Sequence, residues 1–283
     1  MTASWQPDSL TQHWNAQLSL RLENNGRKTI IRDLTHIGPV RVLRPYYPNN
    51  DGNVQIYLLH PPGALIGGDL VEFSIHATKN TNALITTPSA GKFNRALTGL
   101  VQTQKNHLMV EDGGCLEWFP QENIFFNAAQ ARCITEVNLS SSAKFSGWDI
   151  FCLGRPAANE LFSKGMIRTQ FKILLNDSFV LNEAMYFLLP QMQNAFEFAT
   201  QNRTVCGLLC ANEIRAAELP ASVTQLLEQN SAVVASTRIK DWIFIRYLGE
   251  SAEKAKAIFI AIWSALKKAA WQQEFVPPRI WAH

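Results

Sequence analysis

Ala16-Gln17-Leu18-Ser19-Leu20-Arg21-Leu22 alternates apolar and polar side chains, which puts Ala16, Leu18, Leu20 and Leu22 on one face of an extended strand and Gln17, Ser19 and Arg21 on the other. The pattern recurs. Val71, Phe73 and Ile75 alternate with Glu72 and Ser74, Thr135, Val137 and Leu139 with Glu136 and Asn138, and Ile167, Thr169, Phe171 and Ile173 with Arg168, Gln170 and Lys172. Each reads as a strand with one buried face. Gly, Pro, Asn and Asp gather between them at residues 48–53, 61–69 and 112–114, where turns need them. Helical spacing predicts helices only later, over 183–200 with Pro190 breaking it, over 221–230 behind Pro220, and over 252–274. In the last, Ser251 is placed to cap, Glu253 sits in the first turn, Ile258, Ile262 and Leu266 share a face, and Pro277 and Pro278 mark the stop. Two strand-like segments, 232–239 and 242–248, separate the final two helices, so the order is not a regular βαβ alternation. A mainly β body with a few C-terminal helices is expected. With no repeat at fixed period and no long linker, residues 1–283 read as a single domain.

A chain of 283 residues can bury roughly 75% of its unfolded surface. With 47% apolar and only 17% charged residues it is not intrinsically disordered. Its formal charge of +3, evenly spread, is too small for counterion release to drive nucleic-acid binding. No apolar run reaches the roughly 18 to 20 residues of a membrane span, and the best, 255–265, is flanked by Lys254, Lys256, Lys267 and Lys268. Residues 1–14 carry Asp8 and lack the basic-then-apolar order of a secretory leader, so a cytoplasmic protein is expected. Five cysteines, an odd number, fit reduced and mostly buried thiols.

Four stretches concentrate chemistry. In His60-Pro61-Pro62-Gly63-Ala64-Leu65-Ile66-Gly67-Gly68-Asp69 the glycine spacing mimics a phosphate loop, but Asp69 and Leu70 stand where Lys and Ser or Thr are required, and a carboxylate repels phosphate. Asp69 suits a cation instead. Lys92 and Arg95 follow a turn in Thr86-Thr87-Pro88-Ser89-Ala90-Gly91, either to pair with acids elsewhere or to face solvent. Glu117 and Glu122 lie among large apolar residues, so they either meet Lys92, Arg95 or Arg155, or line a wet interior path. Asp149 precedes Leu153-Gly154-Arg155 and Glu160 closely enough for an Asp–Arg pair across a turn. The six histidines are scattered, and Cys206-x-x-x-Cys210 lacks two further ligands nearby, so no tight zinc site is expected. No G-x-S-x-G elbow or Cys–His pair suggests a nucleophile.

These stretches in this order resemble the urease accessory protein UreD family, called UreH in some bacteria. The likeness starts at Arg44-Pro45-Tyr46-Tyr47-Pro48, runs through H-P-P-G, T-T-P-x-A-x-K-F, L-E-W-x-P-Q-E-x-I and L-G-R-x-A, and closes at Pro278-Arg279-Ile280-Trp281-Ala282. The resemblance implies a stacked β-sheet, β-helix-like protein that catalyses nothing itself and links apo-urease subunits to UreF and the GTPase UreG in a hetero-oligomeric complex. It also implies nickel in transit along a hydrated internal route, with no cofactor held tightly. Such transit needs weak, successive oxygen donors. On that basis Asp69, Glu122, Asp149 and Glu183, with Glu117 as a fifth, are the expected route residues, a structural ion pair being the alternative for each. Arg279 and Trp281, with the C-terminal helix, are the expected partner-docking elements. The rival reading is a carboxylate-dependent hydrolase or lyase using two of Asp69, Glu117, Glu122 and Asp149 as acid and base. A carbohydrate-binding module would need exposed aromatic platforms, whereas most tryptophans here sit in apolar patterns.

Overall fold

The computed structural model describes residues 13–49, 51–214 and 219–281. Most of the segment read for a leader, and Ala282 of the closing motif, lie outside the described residues.

Strands Asn15–Asn24, Leu70–Ala77, Gln102–Val110, Gln130–Leu139 and Gly165–Leu175 run parallel, side by side, in a first sheet. Antiparallel strands, Thr29–Ile37 and Ser178–Leu189, end it on either edge. Between these strands the chain crosses to a second sheet, where Val54–Leu59, Asn82–Thr86, Cys115–Trp118 and Lys144–Arg155 are again parallel. That sheet continues antiparallel through Val205–Ala211, Trp242–Gly249 and Val234–Ile239. A short third face pairs Gly91–Phe93, Asn123–Phe125 and the end of Lys144–Arg155. The result is the expected stack of β-coils, with register stepping from Leu70 to Thr103, Arg132 and Arg168 on neighbouring strands. The coils differ in length, which is why no fixed period is visible in the sequence.

The two sheets meet different surroundings, and their sequences differ accordingly. The first has one face in the coil interior and one in solvent, so it alternates: Leu70–Ala77 is buried at every second residue. The second lies between the coil interior and the helices, so Cys115–Trp118 is buried at all four positions and reads as an unbroken run. Ile56, Ile85, Phe145 and Phe171 fill the interior between the sheets. Trp148, Leu209, Ile245, Phe259 and Trp263 fill the second layer, under the helices.

Helix α1 spans Gln193–Thr200, α2 Ala221–Gln229 and α3 Ala252–Leu266. Ser251 caps α3 by accepting from the Lys254 N–H. Beyond α3 a π-helical turn, Lys267–Trp271, ends at Gln272, whose left-handed φ of 55° stops the helix before residue 274. The helix expected over 183–200 is corrected. Residues to Leu189 form a strand whose inward positions include Leu181, Met185 and Phe187, and helix begins only after Pro190. Glu183 occupies an inward slot of that strand and interrupts its hydrophobic alternation, which hid the period from sequence.

Candidate functional site

Alternation assigns each acid of the second sheet to a side. Leu116 and Trp118 pack into the coil interior while Cys115 faces the helices, so Glu117 must face the helices too. There its carboxylate meets Lys267 Nζ at 2.7 Å and accepts from Trp263 Nε1 at 2.6 Å. Neither member of the ion pair reaches solvent. The partner expected among Lys92, Arg95 and Arg155 is therefore replaced by a lysine from the end of the helical layer. Glu117 is held in a buried ion pair, the alternative expected for it.

On the next strand Trp148 and Ile150 face the helices, so Asp149 points inward. Burial pushes its carboxyl up to about 7 from 3.8. Its Oδ2 accepts from Thr135 Oγ1 at 3.1 Å, and Thr135 in turn accepts from Asn106 Nδ2 at 2.9 Å. Asn106 Oδ1 has a long contact, 3.5 Å, with Gln104 Nε2. These four residues form a polar seam through the interior, with buried Gln102 on one of the same strands and buried Thr169 beside it. The Asp–Arg pair expected across the turn does not form, because Arg155 instead pairs with Glu160 and lies over the Phe126 ring.

A cavity lies at each end of the seam. At the first, about 50 Å³, Gln104 is joined by His60, Lys92 and Asn123. Burial lowers the His60 imidazole pKa, and the charge of Asp69 partly offsets this. Asp69 is buried, and its two oxygens accept from the backbone N–H groups of Trp14, at 2.9 Å, and Ile66, at 2.8 Å. It thus fastens the Gly-rich turn to the first strand. Half-buried Glu122 sits between Gln121 and Asn123, both lining this cavity, and no side-chain hydrogen bond or ion pair engages it among the described residues. At the other end Asp149, Thr169, Glu183 and Cys206 line about 130 Å³. Glu183 Oε2 is held by Arg246 Nε at 2.9 Å, with the pair partly open to solvent. The four acids thus fall into two groups, Asp69 and Glu122 near one cavity and Asp149 and Glu183 at the other.

Arg279 and Trp281 are engaged within the chain. The Arg279 guanidinium lies 3.9 Å from the Tyr46 ring centre, so the first and last motifs meet. Trp281 donates to Thr86 Oγ1 at 3.1 Å and packs beside Trp148 and Phe275. All five thiols are free, and burial holds them protonated, Cys206 up to about 11 and Cys115 and Cys152 up to about 12. Among the described residues no group of three or more His, Cys, Asp or Glu side chains is arranged to hold a metal ion, and no helix is long and apolar enough to cross a membrane. Sequence reasoning missed Gln104 and Asn106. Residues 102–107 are polar throughout, so no alternation marks which of them face inward.

Residues 15–282 match a family model described as UreD urease accessory protein. The chain belongs to the UreD family. Proteins named urease accessory protein UreD from Alcanivorax borkumensis and Escherichia coli are each 38% identical, over 95% of this chain and 92% and 97% of theirs. The protein of that name from Aliivibrio fischeri strain MJ11 is 34% identical, over 95% of this chain and 96% of its own. Membership supports a role in urease maturation.

Proposed function

We propose that the chain is a non-catalytic scaffold of urease maturation, linking apo-urease to UreF and UreG, and that nickel crosses it between the two cavities. One observation carries the second half: the Gln104–Asn106–Thr135–Asp149 seam, which runs through the interior from one cavity to the other. A divalent ion loses far too much hydration energy to enter dry packing, so any passage must offer water or oxygen donors. Amide and hydroxyl oxygens bind weakly enough to release it. The thiols, held protonated, are poor traps. In this reading Asp149 and Glu183 receive the ion at one end, Asp69 and Glu122 set the field at the other, and Glu117 stays structural. Arg279 is the exposed member of the expected docking pair and the one a partner can reach.

The test is urease activation at limiting nickel with purified apo-urease, UreF and UreG. Thr135→Val, nearly isosteric, and Asp149→Asn should lower activation while the complex still assembles, and excess nickel should restore it. Activation equal to wild type by both variants would remove the route. Turnover of a substrate by the chain alone, without partners, would remove the scaffold.

A further inference from the structure

The outer face of the first sheet is unusual for parallel strands, which are ordinarily covered on both faces. Acids and bases over much of it are matched, as in Glu72 with His107 and Glu136 with Lys172. One end departs from this pattern. Arg132 and Arg168 stand directly opposite each other on neighbouring parallel strands, an arrangement of like charges that costs stability. Among the described residues neither has a carboxylate partner, and Arg132 Nε is buried without an acceptor. An orphaned, buried guanidinium N–H is expensive unless something else completes it.

The two arginines line an open groove of about 610 Å³ together with Val101, Met166, Met185 and half-exposed Tyr186. A second groove of about 660 Å³ adjoins it, carrying Arg95, Lys164 and Leu97, the last 75% exposed. The two meet where Gln130 and Leu188, lining one, pair with Met166, lining the other. Four cations and no acid line this continuous surface. The grooves are far too large for a single small anion and much of their wall is apolar, so charge alone does not describe the ligand.

We propose that this surface docks an acidic segment of a partner protein, with a glutamate or aspartate carboxylate bridging Arg132 and Arg168 and apolar neighbours of that residue lying against Met166 and Tyr186. A planar carboxylate is the acceptor that two guanidinium forks satisfy best, and apolar side chains beside it exclude water from the contact. The inference rests on the scaffold reading only in taking the chain to work through protein partners.

The experiment measures binding of the full chain to purified UreF and to apo-urease by biolayer interferometry, comparing wild type, Arg132→Gln/Arg168→Gln and a control, Lys172→Gln, on the same face. Circular dichroism and thermal melts check that each variant folds. One of the two partners should lose about tenfold or more in affinity with the double variant and little with the control. The wild-type affinity should also weaken between about 0.05 M and about 0.5 M salt, as screening requires. Unchanged affinity of the double variant for both partners would overturn the groove and leave the scaffold standing, whereas a wild type that binds neither would end both. A labelled single-stranded oligonucleotide that binds wild type more tightly than either protein, and is released by the double variant, would overturn the proposal in favour of a polynucleotide.

Discussion

Lys267 Nζ and Glu117 Oε2 meet at 2.7 Å with side-chain exposures of 1% and 0%, joining the end of the helical layer to the middle of the second sheet. The pair has almost no solvent to screen it. Trp263 Nε1 takes the other carboxylate oxygen. Removing one partner would leave a buried charge alone, which is worse than removing both.

Lys267→Met should therefore lower unfolding stability by about 3–5 kcal/mol in denaturant titration. Glu117→Gln combined with Lys267→Met should recover a large part of that loss. Equal losses in the single and double variants would mean that the lysine contributes through packing alone.

Asp149 gives a pH prediction. Its carboxyl keeps its proton up to about 7 in the folded chain, against 3.8 as the ordinary value, so between these the folded state holds more protons than the unfolded. Stability from this group is then highest at the acid end and is lost as pH rises through that window. Asp149→Asn lacks this slope. Its stability relative to wild type should increase from pH about 4 to pH about 8 by on the order of a few kcal/mol. Parallel pH profiles for the two proteins would refute the shift.

Gly154, in the L-G-R motif, has a φ of +88°, and an added Cβ would stand 2.4 Å from the Glu160 carbonyl oxygen and 2.8 Å from the Phe162 nitrogen. Both neighbours are backbone. Gly154→Ala should cost about 2 kcal/mol or more, and expressed protein should melt earlier. Gly26, with a similar φ of +86° but nothing within 4 Å of an added Cβ, is the comparison that separates strain from collision.

Trp281→Ala removes a half-buried indole from the cluster with Phe119, Trp148 and Phe275, along with its hydrogen bond to Thr86. The expected loss is about 2 kcal/mol in thermal or denaturant unfolding. Arg279→Ala, which removes an exposed side chain and its guanidinium from the Tyr46 face, should cost about 0.5–1 kcal/mol.

Periodicity made the first sheet legible because one face meets water and the other meets the interior. Val71, Phe73 and Ile75 declare their side by alternation alone. The second sheet hides its sidedness, since Cys115 to Trp118 are buried on both faces, and only the packing of the folded chain places Glu117 under the helices and Asp149 in the coils. The candidate acids were visible as charges in apolar surroundings, but their partners were not. Lys267 lies 150 residues from Glu117 and Arg246 lies 63 from Glu183, separations that no local pattern reports. The seam escaped notice for a different reason: Gln104 and Asn106 put amides on an inward face, where alternation of polar with polar carries no hydrophobic signal.

The two edge strands of the first sheet, Thr29–Ile37 and Ser178–Leu189, run against the direction of the five between them. A solenoid whose last rungs kept the common direction would present a template on which a second copy could continue the winding, and so assemble into fibres. Reversing the final rung at either end denies an incoming molecule that in-register continuation. The Thr29–Ile37 border adds side chains such as Arg32 and Asp33, which disfavour self-association there. The first sheet thus closes at each side on a strand of reversed direction, which withholds the parallel template that a further rung would need.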